Sequence, residues 1–200
     1  LSFAAWTGVG FKQPLAVWRA GATIVIDQRP DALNDFFRHA PSFTSLTVEQ
    51  AQALVIRTAT LRRPERMPIV NLIGGFVPLK LVASLRRARF DDVMINFGST
   101  ECSHVLRSYV EDDDRVTWLA PASDRRAEIA DEDGKRCAVG QEGRLRIALL
   151  DHDCHGYLDD PETSARVFAN GWFYPGDLAV ERADGRIRIL GRAGDVLNVK

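Results

Sequence analysis

Pro68-Ile-Val-Asn-Leu-Ile-Gly-Gly75, the segment from Pro78 to about Arg89, and Asp92-Val-Met-Ile-Asn96 form the stretch that decides the fold. Two short apolar runs flank a segment of helical periodicity, which predicts strand, helix, strand. Gly74-Gly75 closes the first strand. Pro78 falls in the first helical turn, where its missing N–H costs little. Arg86 and Arg87 end the helix favourably against its dipole. A strand that returns through a helix pairs in parallel with its predecessor. Upstream the pattern repeats. Phe11 to Arg19 reads as a helix with Phe11, Leu15 and Trp18 on one face, and Ala22 to Ile26 as a short strand. Asp31 to His39 reads as a helix, Phe43 to Val48 as a strand, and Glu49 to Leu61 as a helix. The predicted fold class is α/β, a parallel doubly wound sheet layer.

Downstream of about His104 the helical periodicity fades. Asp133-Gly134 and Asp184-Gly185 sit between strand-like runs, as in hairpins. Gly143 to Leu150 and Arg186 to Leu190 alternate polar and apolar residues, and one short helix is expected near Pro161 to Phe168. This half predicts a mostly antiparallel β sheet or barrel. The expected organisation is an α/β subdomain over 1–104, a mostly-β subdomain over 105–190, and a hinge or crossover over 191–200 leading to a further C-terminal domain. The chain starts at Leu1 and stops at Lys200 after an apolar stretch, so it reads as a piece of a longer polypeptide.

The chain has 200 residues, of which 46% are apolar and 26% charged, the balance of a globular chain with a real core. Lys plus Arg is 26 and Asp plus Glu is 27, a net charge of -1. There is no basic excess for a phosphate backbone, so nucleic acid is not an expected partner. No apolar run is long enough to span a membrane. The three cysteines form no Cys-x-x-Cys pair, which fits a reducing cytoplasm rather than a disulfide framework.

Three segments could carry chemistry. Asn96-Phe-Gly-Ser-Thr-Glu101 follows a buried strand at the carboxyl end of a parallel sheet, where ligands bind. Gly98 permits a tight turn, Phe97 offers a face to a base, and Thr100 can donate to phosphate oxygens. Glu101 can ligate Mg²⁺, which takes one or two carboxylates plus substrate phosphates. The same residues also read as a strand-to-helix connection with Ser99 or Thr100 as N-cap. Gly171-Trp-Phe-Tyr-Pro-Gly-Asp-Leu178 is a shaped turn whose Asp177, read as exposed, could accept two hydrogen bonds from a ribose diol; a plain β-turn is the alternative. Gly191-Arg-Ala-Gly-Asp195 reads as a hinge or an ordinary loop.

Taken in order, Asn-Phe-Gly-x-Thr-Glu101, Gly-Tyr157 with Asp160-Pro-Glu-Thr163, Gly171-Trp-Phe with Gly-Asp-Leu178, and Gly191-Arg-x-x-Asp195 resemble the adenylate-forming superfamily. That superfamily holds acyl- and aryl-CoA synthetases, adenylation domains of nonribosomal peptide synthetases, and firefly-type luciferases. The resemblance covers nearly the whole chain and corresponds to the downstream part of the family's large N-terminal domain. It implies acyl adenylation by ATP, release of pyrophosphate, and transfer of the acyl group to coenzyme A. It implies that Thr100 touches the α-phosphate and Glu101 holds Mg²⁺. Phe97 and Gly98 would lie against adenine, Asn96 at its amino edge, and Gly75, Phe76 and Val77 along it. Asp177 and Arg192 would take the ribose. Trp6 and Gly74 would border the pocket for a small carboxylic acid. A carrier protein is a further possible acceptor, and a non-catalytic nucleotide- or acyl-binding module of the same fold is the reading from another class.

Some positions depart from the family pattern. Its Gly/Ser/Thr-rich phosphate loop and its catalytic-lysine domain are absent from this sequence, and Lys200 is not that lysine. Gly194 stands at the hinge position, Pro175 replaces a hydroxyl residue, Phe76 and Val77 are bulky, and Ala4-Ala5 replaces an aromatic-His pair. Outside the motifs, Asp151-His-Asp-Cys-His155 resembles a metal site, but consecutive strand residues point to opposite faces. Glu111 to Asp114 reads as a solvated turn, Cys102 as packing, and His104 as structural.

Overall fold

The computed structural model describes residues 3, 7–27, 29 and 35–194. The backbone divides into two compact units. One holds the described residues up to Thr100 together with Tyr109–Val116; the other holds Glu101–Ser108 and the described residues from Thr117 onward.

In the first unit, α1 (Gly8–Arg19) is capped by Thr7, whose side chain accepts from Gly10 N at 3.0 Å. A 3-10 turn at Phe36–His39 precedes β1 (Phe43–Leu46). Thr47 and Gln50 then form a reciprocal capping box that starts α2 (Val48–Arg57). β2 (Ile69–Leu72), α3 (Leu79–Arg87) and β3 (Val93–Ser99) follow. β1, β2 and β3 pair in parallel, with Ser45 opposite Asn71 and Leu72 opposite Ile95. Val70 to Leu72 and Val93 to Asn96 are buried without alternation, the mark of a sheet covered on both faces. Leu54, Val70, Leu72, Leu85 and Phe90 are fully buried. Each contributes roughly 1.5–3 kcal/mol by leaving water.

The single turn of α4 (Asp114–Thr117), its last residue excepted, belongs to the first unit. In the second unit, β4 (Ser103–Tyr109, its last residue excepted) pairs antiparallel with β5 (Ala120–Pro121). β6 (Ala127–Ala130), β7 (Glu142–Ala148), α5 (Pro161–Val167), β8 (Phe168–Ala169), β9 (Trp172–Phe173), β10 (Asp177–Glu181) and β11 (Ile187–Arg192) complete the chain. The second sheet has the order β11-β10-β7-β9-β8, with β6 also on β7. It is an open antiparallel sheet rather than a barrel. β8 and β9 are two residues long, too short to carry the ladder round to β11. Its core is Ile129, Leu145, Ile147, Phe173, Ala179 and Ile187. Asn170 (φ 53°) and Gly171 (φ 79°) make the two-residue turn between β8 and β9, where both positions need positive φ.

Several expected elements differ. Residues 22–27 form no strand, and Ile26 is exposed; an apolar run becomes a strand only where a neighbour completes its ladder. Of the helix expected over 31–39, residues 31–34 lie outside those described and 36–39 are a 3-10 turn. The strand expected to reach Val48 stops at Leu46 because Thr47 caps α2, and α2 ends at Arg57 rather than Leu61. Phe97 to Ser99 belong to β3, and Thr100 to Cys102 form a turn into β4, so the segment leads to a strand and not to a helix. Gly191 and Arg192 lie in β11, which shortens the expected loop; residues 195–200 lie outside those described. Among the described residues, no helix is long and apolar enough to cross a membrane.

Candidate functional site

The carboxyl ends of β1, β2 and β3 carry a buried ladder of polar side chains. Gln13 Nε2 on α1 donates to Ser45 Oγ at 2.7 Å. Asn71 Nδ2 donates to the same Oγ at 2.9 Å, and Asn96 Nδ2 donates to Asn71 Oδ1 at 2.5 Å. Ser45, Asn71 and Asn96 are all buried, so each amide needs these partners. Asn96, expected at an adenine edge, thus has its amide nitrogen committed to the sheet. Beyond it, Phe97 is half-buried and Gly98 and Thr100 are exposed. Lys12 Nζ donates to the Thr100 carbonyl at 3.1 Å. Gly8 lies against Thr100: a Cβ on Gly8 would stand 3.2 Å from Thr100 Oγ1. The segment after β2 opens outward. Gly74 has φ +79°, Gly75 is exposed, Phe76 is 80% exposed, and Val77 returns to the core. Trp6 lies outside the described residues.

In the second unit, Glu101 is held from two directions by one loop. Cys154 N donates to the Glu101 carbonyl at 3.0 Å, and Tyr157 Oη donates to Glu101 Oε1 at 2.6 Å. Burial and the Glu101 carboxylate push the Tyr157 hydroxyl up to about 12, so it remains a donor at neutral pH. Asp177 opens β10 after Gly176, opposite Arg192 on β11. Contrary to the sequence expectation of an exposed acid, it is only 5% exposed. Its Oδ2 is buried without a hydrogen-bond partner. Arg192 Nη1 stands 3.3 Å away, but its hydrogen bond goes to the Pro175 carbonyl at 2.6 Å. Burial pushes the Asp177 carboxyl above the ordinary range, and Arg192 pulls it back only in part.

The segments set aside in the sequence serve structural ends. Asp153 forms a bidentate pair with Arg125 and also accepts from Leu150 N at 2.9 Å. Cys154 Sγ donates to the Gly156 carbonyl at 2.9 Å, and His155 Nε2 lies 3.1 Å from the Leu150 carbonyl. The three side chains therefore point to three different partners. Cys102 is fully buried, and burial together with Asp153 pushes its thiol up to about 12, which suits packing and not nucleophilic work. Trp172 of the Gly-Trp-Phe motif lies between Arg126 and Arg146, at 5.1 and 4.2 Å from the ring, and both arginines pair with buried Glu128. Sequence reasoning assigned no role to Asn71, Gln13 or Tyr157. An asparagine inside the apolar run Ile69–Ile73 was a usable signal for the first, and the Gly-Tyr157 motif for the last; nothing local marks Gln13.

No family model matches the chain. It is 27% identical over 182 residues to a 2-succinylbenzoate–CoA ligase of Bacillus velezensis, covering 88% of this chain and 37% of that protein. It is 30% identical over 196 residues to pseudomonine synthase of Pseudomonas entomophila, covering 92% of this chain and 31% of that one. In structure it matches O-succinylbenzoate coenzyme A synthetase of Bacillus subtilis, in complex with ATP and magnesium ion, with a TM-score of 0.86 at 24% identity over 100% of this chain and 42% of that chain. The chain belongs to the adenylate-forming superfamily. It spans only about a third of the length of these two curated relatives. For this adenylate-forming chain, the parallel layer carrying Thr100 and the antiparallel sheet carrying Asp177 follow the superfamily's fold.

Proposed function

We propose that the chain contributes nucleotide and acyl-adenylate contacts to an ATP-dependent acid–thiol ligase. The observation that carries this assignment is the Asp177 carboxylate, buried with one oxygen left without a donor beside an arginine. Such a group costs free energy unless a ligand supplies the missing hydrogen bonds. The vicinal hydroxyls of a ribose supply two donors, and Arg192 flanks them. The names of the relatives, which are ligases joining acids to coenzyme A, support the same reaction class.

In that reaction a carboxylate oxygen attacks the α-phosphorus of ATP. A new O–P bond forms, the bond to the bridging oxygen breaks, and its electron pair leaves with pyrophosphate. A thiol then attacks the acyl carbon and AMP departs. The protein's work is positioning and charge stabilisation. Thr100 donates its hydroxyl to the α-phosphate, in a turn whose carbonyl is tied down by Lys12. Phe97 and the exposed stretch from Gly74 to Phe76 offer apolar surface to adenine and the acyl group. Glu101 is the oxygen donor suited to Mg²⁺, which when bound neutralises phosphate charge. Coenzyme A is the acceptor we assign, with a carrier protein as the competing one. We assign the reaction to the cytoplasm, where ATP and coenzyme A are supplied.

The test is carboxylate-dependent ATP–pyrophosphate exchange by the full-length protein across aryl, short-chain and long-chain acids. Exchange with one class is expected. Its absence with every acid, while AMP still binds, would replace the ligase by a non-catalytic binding module. Glu101→Ala is expected to lower exchange by about 100-fold, chiefly in the rate.

A further inference from the structure

We propose that Tyr157 is a positioning residue for Glu101, fixing its carboxylate in the geometry that receives the divalent cation; this rests on the ligase assignment above, in which Glu101 holds the metal. A glutamate at a turn has three side-chain torsions to fix, and ordering them on metal binding costs conformational entropy. A second group that holds the carboxylate beforehand removes that cost from the binding step. The Tyr157 hydroxyl is placed to do so, donating to Glu101 Oε1 at 2.6 Å, the short length of a hydrogen bond to a charged acceptor.

The tyrosine is itself held at three points. Its backbone N–H donates to Ser164 Oγ at 2.7 Å, and that hydroxyl donates on to the Asp160 carbonyl at 2.6 Å. Tyr157 and Asp160 form an isolated β-bridge. Its ring packs edge-on against Phe168 at 5.4 Å, and Phe168 stacks on buried Phe173 at 5.0 Å. The loop is also anchored below by the buried Arg125–Asp153 pair. The same loop holds the Glu101 main chain through Cys154 N. Glu101 is therefore gripped at backbone and carboxylate by one braced segment 56 residues further along the chain. Partners of this kind, one bond removed from the metal, typically account for 10–100-fold in metal affinity or activity.

The experiment compares wild type with Tyr157→Phe in the full-length protein. Phenylalanine keeps the ring against Phe168 and removes only the hydroxyl. Manganese is the probe, its free concentration read by electron paramagnetic resonance in the presence of ATP. The Mn²⁺ dissociation constant is expected to rise about tenfold. The Mg²⁺ concentration for half-maximal pyrophosphate exchange is expected to rise with it, while the rate at saturating Mg²⁺ stays within about twofold of wild type. Ser164→Ala keeps the hydroxyl but loosens its anchor, and is expected to shift Mn²⁺ affinity in the same direction by a smaller factor. It decides the matter if Tyr157→Phe does not fold. An unchanged Mn²⁺ affinity in the folded variant overturns the proposal, as does a rate loss that saturating Mg²⁺ leaves in place. Wild-type protein that neither exchanges nor binds Mn²⁺ with ATP overturns the ligase assignment, and the proposal with it.

Discussion

Asp153 and Asp177 both lie buried beside an arginine in the second unit, yet they end on opposite sides of the ordinary carboxylate range. Burial pushes the Asp153 carboxyl up, but the hydrogen bonds from Arg125 and from Leu150 N–H outweigh it and hold it low. Its side chain and that of Arg125 are 2% and 3% exposed. Asp177 is pushed up by burial and stays up. Its arginine is 59% exposed and spends its hydrogen bond on Pro175. The first pair is closed on itself and braces a loop. The second is short of donors on the inside and offers its cation to the outside, which suits a ligand and not a scaffold. Burial alone does not separate the two; hydrogen-bond satisfaction does.

The largest effect that could break this comparison is expected at the closed pair. Arg125→Ala strands a buried carboxylate and is expected to cost about 3–5 kcal/mol in urea unfolding, with part of the loss recovered in the Arg125→Ala, Asp153→Ala double variant. A loss under about 1 kcal/mol would mean that the pair is not a brace. Next is the polar ladder of the first unit, the other closed network. Asn71→Ala removes the partner of both Ser45 and Asn96 and is expected to cost about 1–3 kcal/mol, with nucleotide affinity little changed. Third is Asp177→Asn, whose two readouts are expected to move in opposite directions. AMP affinity is expected to fall at least about tenfold, roughly 1.4 kcal/mol, by calorimetry. Stability at pH 7 is expected to rise, on the order of 1 kcal/mol, because an unsatisfied buried charge is gone. Unchanged AMP affinity would remove the ribose role. The smallest effect is expected at Gly8→Ala. The new methyl presses on the exposed Thr100 hydroxyl, which can rotate away, so stability changes by less than about 0.5 kcal/mol while phosphate affinity falls slightly.

Acid titration sharpens the same contrast. Asp153 has a folded pKa below its unfolded one, so its stabilisation is present above the unfolded value and is lost as pH falls through the folded value. Asp177 has a folded pKa above its unfolded one. Its cost is full above the folded value and is relieved as pH falls toward the unfolded value. The Asp153→Asn and Asp177→Asn variants are therefore expected to change the slope of stability against pH in opposite senses below pH 7. Equal slopes would contradict the assignment.

Much of the fold was legible in the sequence because it is local. β2, α3 and β3 were visible as apolar runs around a periodic segment, and Pro161 marked the start of α5. The failures were of two kinds. Ala22 to Ile26 has strand composition without a strand, since composition does not supply a neighbour. The turn after Ser99 reads equally as a step toward a helix, because a Ser-Thr-Glu sequence caps a helix as well as it closes a strand turn. At the site, residue types and order pointed to Thr100, Glu101 and Asp177. They gave no sign that Asp177 is buried or that the Asn96 amide nitrogen donates to Asn71.

The sequence by itself determined the succession of a parallel α/β layer and an antiparallel sheet, the start of α5 at Pro161, and the ordered motifs that mark the superfamily. These follow from propensity, periodicity and turn chemistry, which act over a few residues. Only the tertiary structure decided which polar groups are satisfied. Gln13 reaches Ser45 across 32 residues, Arg125 reaches Asp153 across 28, and Tyr157 reaches Glu101 across 56. A hydrogen bond depends on a few tenths of an ångström and on direction, and register and packing set both only once the chain has folded.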